Sequence, residues 1–238
     1  MKRLLVYIQT ALCMLVATSE TRAGRISDET LAEAYLENGM ELYEKGRYAD
    51  ALTHLNKATE LNPKLFLAYM YAGYCYTDAG KYDEGIKCYN KILDVAPHDA
   101  TVYYEIGHAY RLKGDIDNAL LYTKKALEID KGFYHAIRLM GTIYDHKQMP
   151  DEAIKWYSKA AKINKDDANN YFDIALVYIG QKNYTEAIKY SSKAVDVNPN
   201  FTKAFQSIAW CYNEMGDTAK ANEYMEKAKA AGLGTEKE

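Results

Sequence analysis

Several residue types and motifs are scarce in this sequence. Its 238 residues include four prolines, four cysteines and two tryptophans, and 30 lysines and arginines are set against 33 aspartates and glutamates. The resulting formal net charge of −3 argues against bulk binding to nucleic-acid phosphates. The sequence has no glycine-rich phosphate loop, HExxH zinc motif or GxSxG nucleophile motif. It therefore predicts neither an enzyme nor a nucleic-acid-binding protein, and it predicts no cofactor.

Long apolar runs are also missing, except close to the N-terminus. Residues 4–17 are mostly apolar, follow Lys2 and Arg3, and are succeeded by small residues that end at Ala23. This layout is typical of a secretory signal peptide over residues 1–23, because the run is shorter than the roughly 20 residues of a membrane span. We expect cleavage near Ala23 and an exported, periplasmic or secreted protein without a membrane span. The alternatives are a cut after Ser19, an uncleaved anchor or a frayed N-terminal helix.

What the sequence has in abundance is internal repetition, with a period of about 34 residues. When Gly73 is counted as position 8 of a unit, every equivalent residue is glycine or alanine: Gly39, Gly107, Gly141, Ala175 and Ala209. Position 20 is also always small: Ala51, Gly85, Ala119, Ala153, Ala187 and Ala221. Three of the four prolines, namely Pro63, Pro97 and Pro199, share position 32.

Each unit has the pattern of two amphipathic helices joined by a short turn. In residues 66–99, apolar residues recur at spacings of three and four, Gly80 interrupts them, and a second periodic run ends at Pro97. Two helices approach closely only where facing residues lack bulk, which explains positions 8 and 20. We expect large side chains at positions 4, 11 and 24 to fill the space between successive hairpins. Gln148 replaces the turn glycine of the fourth unit, and the fifth is expected to use Gly180 instead.

This pattern resembles the tetratricopeptide repeat (TPR) family. The resemblance covers residues 32–235, nearly all of the mature chain, and implies an all-α fold: a right-handed α-solenoid of six helical hairpins. The units are 32–65, 66–99, 100–133, 134–167, 168–201 and 202–235. Residues 24–31 form a lead-in in which Ser27 or Asp28 is expected to cap the first helix. The polar helix over residues 222–229 is expected to cap the array, and Gly232 and Gly234 to release a charged tail.

The resemblance also implies where a partner binds. In TPR proteins, first-helix positions 2, 5, 9 and 12 line a concave groove. The candidate partner-binding residues carried over to this sequence are Tyr74, Tyr104, His108, Arg111, His135, Arg138, Phe172, Leu176, Ile179 and Trp210. Aromatic anchors with a few cations are typical of protein-binding surfaces. The two histidines and two arginines form a basic stretch that suits an acidic segment of a partner. The alternative is that some of these side chains pack against the adjacent repeat.

Two hypotheses about function follow. The first is a non-enzymatic adaptor or scaffold that binds a protein or peptide partner through the groove. The alternative is an architectural subunit of a cell-envelope complex that assembles through the repeat ends or the convex face. The sequence leaves the oligomeric state open.

Metal binding and disulfide formation have weaker support. His135 and His146 are eleven residues apart on one helix, or about 16 Å at 1.5 Å per residue, and cannot share an ion. His108 with His135 remains an alternative, but we predict no metal site. Of the three cysteines that follow the signal segment, Cys75 and Cys211 share position 10 and are expected to be inert packing residues. A Cys75–Cys88 disulfide is the alternative in an oxidising compartment.

Overall fold

The computed structural model describes residues 27–234, and helices make up 81% of this range, which contains no strand. The predicted signal peptide therefore lies outside the described residues. We number the helices in chain order. They are α1 Asp28–Glu44, α2 Tyr48–Leu61, α3 Phe66–Asp78, α4 Tyr82–Leu93, α5 Ala100–Lys113, α6 Ile116–Ile129, α7 Tyr134–His146, α8 Pro150–Ile163, α9 Ala168–Gly180, α10 Tyr184–Val197, α11 Thr202–Glu214 and α12 Thr218–Gly234.

The helices pair into six successive hairpins. Each helix packs mainly on its neighbours in sequence, so the apolar residues form a series of separate clusters along the chain. The odd-numbered helices α1 to α11 are the first helices of the hairpins, and the even-numbered ones are the second helices. The predicted all-α TPR solenoid is thus confirmed. Within residues 27–234, no helix is long and apolar enough to cross a membrane.

Every hairpin turn places one residue in the left-handed backbone conformation. Four of the six are glycines, Gly46, Gly80, Gly114 and Gly216, with φ between 70° and 87°. The other two are Gln148 (φ 56°) and Lys182 (φ 58°), each one repeat period from the neighbouring turn. The expectation that Gly180 supplies the fifth turn is wrong. Gly180 is the last residue of α9, and the repeat register assigns the left-handed position to Lys182.

Close packing inside each hairpin explains the small residues at position 8. A Cβ atom on Gly73 would lie 2.2 Å from Cε1 of Tyr89 on the second helix of the same hairpin. Leu55 and Tyr157 lie in the same way against Gly39 and Gly141. The position-24 side chain therefore fills its own hairpin, whereas the sequence pattern predicts that it fills the space between hairpins. Tyr89 also belongs to an apolar cluster that extends into the next hairpin.

The ends of the array differ from the sequence prediction by a few residues. Ser27 caps α1, because its hydroxyl accepts a hydrogen bond from the Thr30 N–H at 3.1 Å. The helix begins at Asp28, one turn before the first repeat unit as defined from the sequence. At the other end, α12 is longer than expected and continues through Gly232 to Gly234. It buries Ala221, Ala228 and Ala231 and leaves most of its polar residues exposed, as a capping helix requires.

The cysteines of the described range are free thiols. Cys75 and Cys211 are buried, as expected for position 10, and Cys88 is partly buried. Burial raises the pKa of all three thiols to about 11, so the unreactive protonated form dominates at neutral pH. The Cys75–Cys88 disulfide is not formed in this structure.

Candidate binding groove

The first helices α1 to α9 lie side by side in succession, and with α11 they carry the surface that we call the candidate groove. Side-chain hydrogen bonds join successive first helices: Tyr43 donates to Asp78 at 2.9 Å, Tyr74 to Glu105 at 3.3 Å and Arg138 to Asp173 at 2.8 Å. Helices α5 and α7 also contact each other directly. All ten residues predicted to bind a partner lie on these helices: Tyr74 on α3, Tyr104, His108 and Arg111 on α5, His135 and Arg138 on α7, Phe172, Leu176 and Ile179 on α9, and Trp210 on α11.

The C-terminal part of the groove is apolar and exposed. Leu176 on α9 and Trp210 on α11 occupy the same repeat position, and 45% and 43% of their surfaces are exposed. The Trp210 ring packs edge-on against Tyr184, at 5.6 Å between centroids. Phe172 is partly buried because its ring packs edge-on against Phe201, at 5.1 Å. Leu176 and Trp210 thus offer uncovered apolar surface on two adjacent repeats.

The middle of the groove contains an aromatic cluster around Tyr104. The Tyr104 ring stacks on His108 at 5.9 Å between centroids, and it meets Phe133 edge-on at 5.4 Å. His135 lies 5.9 Å from the same ring. The structure therefore brings Tyr104, His108 and His135 together in one cluster. Tyr74 is outside this cluster and packs with Tyr43 and Tyr71.

Arg111 is the groove cation that lacks an acidic partner among the described residues. Its Nη2 donates a hydrogen bond to Nε2 of His108 at 2.9 Å. Burial lowers the pKa of His108 to about 4, and the positive charge of Arg111 contributes to this decrease. The imidazole is therefore neutral at pH 7 and accepts this bond. The Arg111 Nε atom is buried with no hydrogen-bond partner in the described structure. An unsatisfied buried donor is unfavourable.

The predicted basic stretch is weaker than its residue types indicate. Arg138 forms an ion pair with Asp173, whose side chain is largely buried. Its positive charge is therefore already compensated inside the protein. His108 is neutral for the reason given above. Arg111 is left as the main uncompensated positive charge among the two arginines and His108.

Sequence reasoning missed Glu105, which lies beside the Tyr104 cluster. Burial, with a smaller contribution from the negative charge of Asp78, raises the pKa of the Glu105 carboxyl to about 7. The Tyr74 hydroxyl donates to Glu105 Oε1, which partly opposes this rise. The signal available in the sequence was the acid at position 6 of the third unit, which recurs as Asp173 two units later. In the described range, no three histidine, cysteine, aspartate or glutamate side chains are grouped so as to hold a metal ion.

Comparisons with known families identify tetratricopeptide repeats in this chain. Two models described as "Tetratricopeptide repeat" match residues 65–132 and 203–231, and one described as "TPR repeat" matches residues 39–76. A fourth, described as "Tetratricopeptide repeat protein 21 C-terminal ARM domain", matches residues 103–209. The comparison with curated protein sequences gives no match.

Solved structures resemble most of the array. MamA is 25% identical with a TM-score of 0.62, and the match covers 70% of this chain and 97% of MamA. PilF of Pseudomonas aeruginosa is 16% identical with a TM-score of 0.70, over 84% of this chain and 90% of that one. YrrB, described as a TPR protein with an unusual peptide-binding site, is 23% identical with a TM-score of 0.56, over 71% and 88%. At these identities, PilF and YrrB show the shared fold alone.

Proposed function

We propose that this protein is a non-enzymatic adaptor that binds a peptide segment of a partner protein in the candidate groove. The observation that carries the proposal is the exposure of Leu176 and Trp210 at one repeat position on adjacent repeats. Exposed apolar side chains on neighbouring elements mark interaction surfaces, and tryptophan is enriched among residues that dominate binding energy. TPR arrays are typically interaction modules, and YrrB is described as having a peptide-binding site.

The partner segment is proposed to place an acidic side chain on Arg111. A carboxylate there would form charge-assisted hydrogen bonds with a guanidinium that lacks an acidic partner in the described structure. Arg138 is a poorer anchor, because a ligand carboxylate would have to compete with Asp173. The acidic side chain of the partner, which the sequence pattern assigned to a basic stretch of two histidines and two arginines, is therefore expected beside Arg111.

A pair of matched variants tests the groove. Leu176→Ser with Trp210→Ala removes exposed apolar surface from the first helices. Leu121→Ser with Ile163→Ala removes comparable surface, each residue being 48% exposed, from the second helices α6 and α8. Used as bait for affinity capture beside the unaltered chain, the groove variant should lose a partner that the second-helix variant keeps. If the second-helix variant loses the partner and the groove variant keeps it, the architectural alternative replaces the adaptor.

We also propose that the protein acts outside the cytoplasm. The support is the sequence pattern of residues 1–23, a basic start followed by a short apolar run and small residues. Mass spectrometry of the protein isolated from its native cells should give a chain that begins at Gly24. A chain that retains residues 1–23 and fractionates with the cytoplasm would contradict export.

A further inference from the structure

Glu105 is a partly buried carboxylate that has no cationic partner among the described residues, and the repeat symmetry shows what is missing. Asp173 occupies the same repeat position two units later, and it pairs with Arg138, which lies at position 5 of the preceding unit. The residue equivalent to Arg138 beside Glu105 is Met70, which is apolar and packs with the neighbouring cluster. The charged group that acts on Glu105 is Asp78, which is also negative. Within residues 27–234, Glu105 therefore has no internal counter-ion like the one that Asp173 has.

A cavity opens beside this carboxylate. It has a volume of about 270 Å³ and is lined by Thr101, Tyr104, Glu105, Phe133 and His135. Three of these five residues are aromatic, and the Tyr104 ring lies within 6 Å of both of the other rings. Aromatic ring faces attract cations, and a nearby carboxylate strengthens that attraction. Asp99 caps the start of α5 through the backbone N–H groups of residues 101 and 102, which places a further negative charge at this end of the groove.

We propose that this cavity, the Glu105 pocket, binds the cationic side chain of a lysine or arginine from the partner segment. The proposal rests on the proposed function, because it assigns a second contact to the same partner in the same groove. The basic side chain would pair with Glu105 and lie among Tyr104, Phe133 and His135. It would supply for Glu105 the charge that Arg138 supplies for Asp173. The Glu105 pocket thus prefers a basic side chain of the partner segment, whereas Arg111 is expected to prefer an acidic one.

The two charged positions on α5 define a spacing in the ligand. Glu105 and Arg111 are six residues apart on one helix, which is about 9 Å along the axis at 1.5 Å per residue. A peptide in the polyproline II conformation advances about 3.1 Å per residue and has three residues per turn, so two side chains three residues apart lie on the same face at about this distance. The partner segment is therefore a short bipolar stretch, a basic residue and an acidic residue with two residues between them.

A capped hexapeptide with one lysine and one aspartate at this spacing tests the pocket. Its binding to isotope-labelled protein is followed by NMR, beside a peptide in which norleucine replaces the lysine. The lysine peptide should shift the resonances of Thr101, Glu105 and His135. Glu105→Gln, which keeps the shape and the acceptor for Tyr74, should weaken its binding roughly tenfold, the value of one charge-assisted contact.

Two further variants distinguish charge recognition from general disturbance. Glu128→Gln neutralises a carboxylate of the same kind at an exposed site on the second helix α6, and should leave binding of the lysine peptide unchanged. Met70→Arg introduces a cation at the position equivalent to Arg138. The new guanidinium should form an ion pair with Glu105 and so prevent the peptide lysine from binding there. Equal binding of the lysine and norleucine peptides, or no effect of Glu105→Gln, would overturn the pocket. Neither result bears on Leu176 and Trp210, so the groove itself is judged separately by partner capture.

Discussion

At the residue scale, two turn positions are occupied by residues poorly suited to their backbone. Gln148 and Lys182 adopt the left-handed conformation that four glycines adopt in the other hairpins. A side chain in this conformation costs about 1–2 kcal/mol, of which the greater flexibility of glycine in the unfolded chain offsets about 0.5–1 kcal/mol. Gln148→Gly should therefore raise the free energy of unfolding by about 0.5–1 kcal/mol. Urea denaturation measures this change.

The reverse substitution provides the control for the turn. Gly80→Gln introduces the same side chain at an equivalent turn where φ is 75° and no heavy atom lies within 4 Å of the new Cβ. It should destabilise the protein by a similar amount, since only the backbone preference changes. If both substitutions destabilised the protein, contacts of the Gln148 side chain would outweigh the strain of its backbone.

Glu105 makes stability depend on pH in a direction opposite to that of most glutamates. Its pKa is raised to about 7 in the folded protein, from 4.5. The folded state therefore binds the proton more tightly, so ionised Glu105 destabilises the fold above pH 7 and this penalty disappears as the pH falls towards 4.5. Glu105→Gln should stabilise the protein by about 1–3 kcal/mol at pH 8 and by much less at pH 5.

Urea unfolding at the two pH values checks this expectation. Glu128→Gln, a change of the same kind at an exposed site on α6, is the matched control and should have little effect at either pH. His108 does not confuse the comparison, because both proteins retain it and only their difference is measured. A destabilising effect of Glu105→Gln at pH 8 would show that the Tyr74 hydrogen bond outweighs the burial of charge.

At the scale of the elements, a large side chain at position 24 is combined with glycine at position 8 in the second and fourth hairpins, and a small one with alanine in the fifth. Gly73 faces Tyr89 and Gly141 faces Tyr157, whereas Ala175 is combined with the small Ser191 in the fifth hairpin. Gly73→Ala alone should destabilise the protein by about 1–3 kcal/mol, because the new methyl group overlaps the Tyr89 ring. Tyr89→Ser alone should also destabilise it, by leaving a cavity.

The double variant tests whether the two positions act as a unit. Gly73→Ala with Tyr89→Ser recreates the Ala175 and Ser191 combination, so the methyl group enters space that the ring has vacated. Its loss of stability should be smaller than the sum of the single losses, with a coupling energy of about 1–3 kcal/mol. Strict additivity in this double-mutant cycle would mean that the close approach seen at Gly73 is relaxed elsewhere in the hairpin.

Local pattern explains why the hairpins could be predicted and most of the groove chemistry could not. Positions 8 and 20 are constrained within one unit, and the periodicity of Gly73, Gly85 and Pro97 reveals the helices directly. The pairing of Arg138 with Asp173 joins residues in different units, and it depends on how one first helix lies against the next. A sequence pattern read within units does not contain that geometry. Glu105 was missed for the same reason, because only a comparison between units shows that Met70 stands where Arg138 pairs with Asp173, and that Glu105 has no cation within the described range.

At the scale of the whole molecule, stability is the sum of contacts between neighbours along a line. Ion pairs such as Lys113 with Asp83 (2.6 Å) and Lys147 with Asp117 (2.7 Å) join one hairpin to the next. The apolar clusters likewise extend over one or two hairpins. Nearest-neighbour arrays of this kind lose structure locally when an end is removed. The expected consequence is that the Glu105 pocket does not depend on the C-terminal cap.

Removal of residues 218–238 tests this independence. The deletion takes away α12 and uncovers Ala209, which is buried on α11 at the repeat position where the other hairpins meet their second helix. Amide hydrogen exchange should rise in α11 and α10 and remain unchanged in α1 to α6. Because Trp210 lies on α11, capture of the partner should weaken, whereas the lysine peptide should still bind at Glu105. Loss of protection throughout the chain would instead identify one cooperative unit, in which case the two ends of the groove could not be treated as separate binding sites.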